Sequence, residues 1–168
     1  MNFRLTRFRA YSPLIDACAD IYATVWDRDY ASAVWSFNDY VTYRHFYAVV
    51  ASVGTVTVGF GLGTESHAGQ WWHDAVAEKV GSNHPSLQRA WVLTELALLP
   101  AYRNGGIGEA LHNALLADQP LPNAVLSTME SNIAGRRFYK RLGWQTLHPG
   151  FSFFEGHEPY TILMKQVR

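Results

Sequence analysis

The spacing of apolar and polar residues in the first part of the chain predicts one strand followed by two helices. Alternation over Phe3–Ala10 predicts the strand. Ser12 and Pro13 then provide a helix cap and a first helical residue, and apolar residues at helical spacing continue to Trp26. A second helix, with a weaker period, is predicted over residues 31–45.

The next segment contains no charge and requires a choice between a membrane span and a hairpin. Phe46–Gly63 is eighteen residues long and has no charged side chain, which is the length of a short membrane helix. The segment is, however, rich in β-branched residues and glycine, which favours a β-hairpin turning near Ser52–Thr55. Residues 64–89 then form a predicted insertion between the third and fourth strands, with a short helix at Ala75–Val80.

The rest of the chain predicts four further strands and two helices. In chain order these are a strand at Trp91–Leu99, a helix at Ile107–Ala117, a strand at Ala124–Thr128, a helix from Ser131 to Gly143, and strands at Trp144–Phe154 and Tyr160–Gln166. The order of these elements predicts an α/β fold with about seven strands and, apart from the helix of the insertion, about four helices. Residues 1–168 are predicted to form one domain.

Composition narrows the class of protein. The 168 residues include 48% apolar and 17% charged residues, as expected for a globular domain. Fourteen basic and fourteen acidic side chains give a formal net charge of zero, which argues against a nucleic-acid partner. The single cysteine, Cys18, allows no internal disulfide, and the N-terminus has no apolar signal segment. We therefore expect a cytoplasmic protein with no membrane partner.

The segment from Leu93 to Leu116 predicts an anion site. A buried strand ends before Pro100, and a glycine-rich turn leads into an amphipathic helix. Glycine lets the backbone approach a ligand closely, and the first turn of a helix attracts anions through its free N–H groups and dipole. Arg103 can add a bidentate contact to phosphate. The segment therefore predicts that a pyrophosphate-sized anion lies over Asn104–Glu109.

The order of residues in this turn separates it from two other phosphate loops. The chain has no Gly-Lys-Ser or Gly-Lys-Thr, which excludes the P-loop, and no glycine follows three residues after Gly108, which excludes the dinucleotide fingerprint. Residues Arg103–Gly108 instead read Arg-x-x-Gly-x-Gly. In this the sequence resembles the GCN5-related N-acetyltransferase (GNAT) family, whose signature is Gln or Arg, x, x, Gly, x, then Gly or Ala.

A second motif strengthens the resemblance. Ser131–Trp144 is similar to the family's Asn-x-x-Ala-x-x-x-Tyr-x-x-x-Gly-Phe/Trp helix, with Asn132 and Tyr139 seven residues apart on the same side of the helix. The two motifs occur in the family's order, and the resemblance is specific from Leu93 to Trp144. It implies the GNAT fold, which has a mixed central sheet, here of about seven strands flanked by about four helices, and it implies acetyl-CoA as the acetyl donor.

The resemblance also implies which residues bind acetyl-CoA. The fourth-strand backbone would pair with the pantetheine amides, and an N–H near Leu98 would stabilise the tetrahedral oxyanion. The loop would hold the diphosphate, and Asn132 would position the cofactor. The implied cofactor-binding residues are Leu96, Ala97, Leu98, Arg103, Asn104, Gly105, Gly106, Ile107, Gly108 and Asn132.

Two side chains are candidates for proton transfer. Tyr139 would protonate the leaving thiolate of CoA, or it is simply a half-buried aromatic residue on its helix. Glu95 lies in an otherwise apolar strand, where burial would raise its pKa, so it is either the general base or a structural carboxylate paired with a base such as Arg89. Some relatives place a glutamate five residues before the helix Asn, where this chain has Ser127.

These observations predict an N-acetyltransferase that transfers the acetyl group of acetyl-CoA to a primary amine of a small molecule or peptide by direct attack. The alternative is a CoA-binding module with the same fold and no turnover. The seven histidines have no spacing typical of metal ligands, so no metal is expected, and His73 and His157 are the candidates for a proton relay. The identity of the acceptor and the choice between monomer and homodimer stay open.

Overall fold

The computed structural model describes residues 2–168, which form seven strands and five α-helices. In chain order they are β1 (Arg4–Phe8), α1 (Leu14–Trp26), α2 (Tyr30–Tyr40), β2 (Tyr47–Val53), β3 (Val56–Ser66), α3 (Trp71–Val80), β4 (Ala90–Leu98), α4 (Ile107–Asp118), β5 (Asn123–Met129), α5 (Ile133–Arg141), β6 (Gln145–Phe151) and β7 (Tyr160–Gln166). The sheet order is β1-β2-β3-β4-β5-β7-β6. The predicted mixed sheet is confirmed.

The described chain divides into two compact units. The first comprises the residues up to Thr64 together with Leu93–Pro120, and the second comprises Glu65–Val92 and Leu121–Arg168. Strand β4 contributes its first three residues to the second unit and the remainder to the first. That residues 1–168 form a single domain stays a prediction. None of the helices formed by residues 2–168 is long and apolar enough to cross a membrane.

The first unit contains the predicted hairpin. Strands β1, β2 and β3 are antiparallel, and Gly54, with φ 59°, turns the chain between β2 and β3. Asp29 begins α2 by accepting a hydrogen bond from the Ser32 N–H at 2.7 Å. The helix ends at Tyr40 rather than at residue 45, because tight turns replace the helical bonds there, with the Thr42 hydroxyl donating to the Asp39 carbonyl at 2.7 Å.

The packing of α4 over the sheet of this unit depends on small residues. A Cβ at Gly61 would lie 2.5 Å from Leu115 Cδ1 and 3.0 Å from Leu96 Cδ1. A side chain at this position would force both leucines to shift, so the absence of one allows the close approach. Ile107, Leu111 and Leu115 are fully buried on the predicted apolar face of α4. The helix is thus held against β3 with its N-terminus at the glycine loop.

The second unit contains the predicted insertion. Strands β4 and β5 pair in parallel from Ala90–Val92 to Asn123–Val125, and β7 runs antiparallel to β5 and β6. The insertion forms α3, which begins at Trp71 rather than at Ala75. Its earlier start is fixed by local bonds in the preceding turn, where the Gly69 N–H donates to Asp74 Oδ1 at 3.0 Å. This helix accounts for the count of five rather than about four.

Candidate functional site

The glycine loop of the first unit leaves a run of backbone N–H groups available at the start of α4. Asn104 and Gly106 have left-handed φ angles of 64° and 82°, and Gly106 is the residue before the first turn of α4. Within the described residues 2–168, the N–H groups of residues 104–108 donate to no protein acceptor. Residues 104–106 are exposed. The predicted anion site therefore has available donors at a helix N-terminus.

The space above the loop is open to a ligand. A Cβ built on Gly106 would meet no protein atom within 4 Å, and one on Gly105 would meet only the Tyr102 carbonyl oxygen, at 3.9 Å. The need for glycine at position 106 is therefore conformational, since few L residues adopt a φ of 82°. An anion can approach the backbone here without displacing protein atoms.

Arg103, which is predicted to contact a phosphate, makes hydrogen bonds within the protein. Its Nε donates to the Leu98 carbonyl at 3.2 Å, and its own N–H donates to the Pro100 carbonyl at 3.2 Å. The side chain thereby fixes the end of β4 against the loop. Only the two Nη groups remain for an anion, so Arg103 can pair with a phosphate through its outer edge.

The backbone N–H and C=O groups of β4 point alternately to its two sides, and this determines which of them can meet a ligand. The Leu99 N–H donates to the Val58 carbonyl of β3 at 2.9 Å. Because successive residues of a strand direct their N–H and C=O groups to opposite sides, Ala97, two residues before Leu99, also directs its groups toward β3. Leu96 and Leu98 therefore direct theirs away from β3. Of the three predicted strand residues, Leu96 can offer both its N–H and its C=O to a ligand. Leu98 can offer only its N–H, because its carbonyl accepts from Arg103 Nε.

Glu95 lies on the face of β4 that packs against α1 and α2. Ala97, two residues on, belongs to the buried cluster that those helices form with Phe60 and Leu62. Although part of the Glu95 side chain reaches solvent, loss of hydration raises the pKa of its carboxyl to about 8. The pKa of the neighbouring Tyr40 is also raised, first by burial and then by Glu95. An ion pair with a base such as Arg89 would lower the pKa of Glu95. The raised pKa therefore disfavours the alternative that Glu95 is a structural carboxylate paired with such a base.

Asn132, in the second unit, is the N-cap of α5. Its Oδ1 accepts a hydrogen bond from the Gly135 N–H at 3.0 Å. The helix is predicted to begin at Ser131, but its N-cap is Asn132 and its first helical residue is Ile133. The Ser131 N–H donates to Glu158 Oε1 at 2.9 Å. The amide oxygen of Asn132 already accepts a hydrogen bond in the cap. The amide nitrogen, Nδ2, is the group that can donate to a ligand. Its role in positioning the cofactor stays a prediction.

Tyr139 is held on α5 by ring contacts. Its ring packs edge-on against Phe138, with centroids 5.3 Å apart, and against Trp144, with centroids 5.8 Å apart. The Tyr139 carbonyl accepts from the Trp144 N–H at 3.1 Å. The side chain is partly exposed. These contacts fit both interpretations, a packed aromatic residue and an oriented acid, so the acid role stays a prediction.

The position where some relatives carry a glutamate is occupied by a hydrogen-bonded serine. Ser127 Oγ accepts from Trp72 Nε1 of the insertion helix at 3.2 Å. Glu130, the nearby carboxylate, is used structurally, since its Oε1 accepts from the Gly150 N–H at 2.7 Å. Sequence reasoning missed this role of Trp72 because the two partners are fifty-five residues apart.

His73 forms a buried pair with Ser66. The Ser66 hydroxyl and His73 Nδ1 lie 2.8 Å apart, and both residues are buried. Burial lowers the pKa of His73, which favours the neutral ring. His157 is exposed beside the Phe154 ring. Among residues 2–168, no group of three His, Cys, Asp or Glu side chains is arranged to hold a metal ion.

Comparison with solved structures identifies the fold. The structure matches a GNAT-family acetyltransferase from Desulfovibrio desulfuricans at a TM-score of 0.72 and 14% identity, over 99% of this chain and 100% of that one. It matches Ard1 from Thermoplasma volcanium at 0.71 and 20%, over 99% and 98%. It also matches the yncA acetyltransferase of Salmonella typhimurium, which was solved with acetyl-CoA, at 0.69 and 15%, over 98% and 95%. The predicted fold is confirmed.

Sequence comparison identifies the family. The chain is 33% identical over 116 residues to a GCN5-like protein acetyltransferase of Mycobacterium tuberculosis, and the match covers 63% of this chain and 56% of that protein. The chain therefore spans little more than half the length of this relative. A family model described as the acetyltransferase (GNAT) family matches residues 14–144. Both predicted motifs lie within that range, and the chain belongs to the acetyltransferase (GNAT) family.

Proposed function

We propose that this protein transfers the acetyl group of acetyl-CoA to a primary amine of a small molecule or peptide. The observation that supports this most directly is the run of N–H groups at residues 104–108, which have no protein acceptor in the described structure and begin α4. Donors in this arrangement suit the diphosphate of CoA. The family of the chain and the acetyl-CoA in the yncA structure agree with this ligand.

The remaining cofactor contacts follow from the directions of the groups. The outward N–H and C=O groups of Leu96 are suited to pair with the pantetheine amides. The outward Leu98 N–H is left for the oxyanion, because the Leu98 carbonyl accepts from Arg103 Nε. The Nη groups of Arg103 add charge at the diphosphate, and the Asn132 amide nitrogen donates to the pantetheine arm. Each of these contacts uses a group that its neighbours leave in a suitable direction or unoccupied.

The proposed reaction is direct attack in a ternary complex. The neutral amine attacks the thioester carbonyl carbon, and the Leu98 N–H stabilises the oxyanion that forms. The C–S bond then breaks, and Tyr139 gives its proton to the thiolate of CoA. The amine nitrogen loses one proton, to Glu95 directly or through water. The products are the acetylated amine and free CoA.

Glu95 makes this proposal dependent on pH. With a pKa of about 8, its carboxyl is mostly protonated at neutral pH and can accept a proton only in its ionised minority. The acceptor amine is also mostly protonated there. We therefore expect kcat/KM to rise from pH 6.5 to above 8 as both groups lose their protons.

A thiol-release screen tests the proposal. The protein is mixed with acetyl-CoA and a panel of amines and N-terminal peptides, and free thiol is followed with a chromogenic disulfide while mass spectrometry detects the acetylated product. Release of thiol matched by acetylated amine supports the proposal. Binding of acetyl-CoA without turnover on any amine would favour the non-catalytic module, and absence of binding would refute the assignment of the loop. A reducing, cytoplasmic location is part of the same proposal, since the lone Cys18 is buried and free.

A further inference from the structure

A cavity beside α5 is separate from the residues assigned to the reaction. It has a volume of about 550 Å³ and is formed within the second unit by α5, β6 and β7. Arg136, Arg137 and Lys140 contribute three cations to its wall. Its volume falls in the range of small-molecule sites.

The chemistry of the wall favours an anion with an apolar part. No carboxylate lines the cavity among the described residues. Glu130 is next to the cavity, where its Oε1 accepts from the Gly150 N–H at 2.7 Å and from the hydroxyl of the lining residue Thr161 at 3.4 Å. The three cations still outnumber this one carboxylate. Ile133 and Leu163 give the cavity apolar surface, and Thr146 supplies a hydroxyl on β6. Three cations around a partly enclosed space attract a ligand with at least two negative charges.

The cavity faces a different side of α5 from the motif residues. At about 100° per residue, Asn132 and Tyr139 share one side of the helix, whereas Ile133, Arg137 and Lys140 lie about a third of a turn away. Arg136 lies between these two sides. Asn132 and Tyr139 do not line the cavity. A ligand here would therefore leave the side of α5 that carries the motif free.

One of the three cations, Arg136, is held in place by a hydrogen bond. Its Nη1 donates to the Glu130 carbonyl at 3.2 Å, which holds the guanidinium at the edge of the cavity. Arg137 and Lys140 are exposed, so they can move onto a bound anion. One fixed and two adjustable cations suit a phosphate group, whose oxygens accept several hydrogen bonds at once.

We propose that this cavity binds a small organic phosphate at a site distinct from that of acetyl-CoA. The phosphate pairs with Arg137 and Lys140 beside the fixed Arg136, and the carbon part lies against Ile133 and Leu163. The inference goes beyond the proposed function and does not depend on turnover. It gives the protein a second site, through which a phosphorylated metabolite can bind while the acetyl donor is bound.

Calorimetry with phenyl phosphate tests this site, because the probe combines a dianion with an apolar ring. Titrations are made into the full chain saturated with CoA. We expect saturable binding that weakens about tenfold in Arg137→Gln and in Lys140→Gln, since each loses a charged hydrogen bond. Arg141→Gln is the matched control, because Arg141 is on the same helix but does not line the cavity. Thr146→Glu, which places a carboxylate in the cavity, should abolish binding.

Three results would overturn the proposal. If phenyl phosphate does not bind saturably to the wild-type protein, the cavity is only a solvated basic surface. If phenyl phosphate binds saturably to the CoA-free protein but not to the protein saturated with CoA, the cavity belongs to the acetyl-CoA site. If Arg141→Gln weakens binding as much as Lys140→Gln, the attraction comes from the net charge of the helix rather than from a built site.

Discussion

Replacing Glu95 with glutamine tests whether burial of the carboxyl between the sheet and helices α1 and α2 makes the stability of the protein depend on pH. In the folded protein the pKa of this group is about 8, against an ordinary value of 4.5. Between these two pH values the unfolded chain is ionised at Glu95 while the folded chain keeps its proton. Unfolding therefore releases a proton, and the free energy of unfolding falls as pH rises through this window. The stabilising contribution is complete below pH 4.5 and is lost as pH rises to about 8.

The size of the effect follows from the shift. One pKa unit corresponds to about 1.4 kcal/mol, so the full shift sets an upper limit of about 5 kcal/mol. The Glu95 side chain is partly exposed, and solvent screening reduces this limit. We expect Glu95→Gln, which has no proton to lose, to gain about 2–3 kcal/mol over the wild type between pH 5 and pH 8.

Urea denaturation followed by far-ultraviolet circular dichroism, at half-unit steps from pH 5 to pH 8, measures this difference. Glu155→Gln, which removes an exposed carboxylate from the loop between β6 and β7, controls for the loss of one negative charge. If the difference between Glu95→Gln and wild type is the same at every pH, the carboxyl does not titrate in this window. The assignment of Glu95 as a base active near pH 8 would then fail with it.

Three further predictions concern the loop, the acid and the packing of α4. Gly106→Glu should weaken CoA binding at least about tenfold by calorimetry, because it adds a negative charge where the diphosphate is proposed to bind. Gly54→Glu, at another left-handed glycine, should leave binding unchanged, and equal affinities of the two variants would mean that the anion site is misplaced. Tyr139→Phe should lower kcat about a hundredfold with CoA affinity unchanged, and an undiminished rate would exclude it as the acid; Tyr11→Phe, at an exposed position, is the control. Gly61→Ala should destabilise the protein by about 1–3 kcal/mol in urea denaturation, because its methyl group would overlap the packed α4, and an unchanged midpoint would show that α4 can move.

The parts of the fold that sequence predicted best are those determined by nearby residues. The hairpin of β2 and β3 follows from β-branched residues around Gly54, and the buried face of α4 follows from a helical period beginning at Ile107. The loop at residues 104–108 could be predicted in the same way, because glycine spacing and a helix start are both local features. In each case the pattern and the structure depend on the same few residues.

The features that sequence did not predict depend on partners far along the chain. Ser131 and Asn132 are both residue types that cap helices, and the structure uses Asn132. The Ser131 N–H is bound by Glu158, which is twenty-seven residues further along the chain. The hydrogen bond from Trp72 to Ser127 likewise joins distant segments. The cavity beside α5 needs two strands that follow the helix, so no local pattern could indicate it.

The packing of the insertion helix α3 limits how chains of this family can be recombined. Val76 of α3 is fully buried and shares a core with Val92, Val125 and Ile162 of the sheet, against which Trp72 also packs. A chimera that exchanged residues 67–89 for a short connecting loop would leave this apolar surface bare in water, at a cost of about 2 kcal/mol for each large side chain uncovered. Such an exchange would therefore succeed only if polar residues were introduced on β5 and β7 at the same time, so the helix and the strands it covers have to be transplanted together.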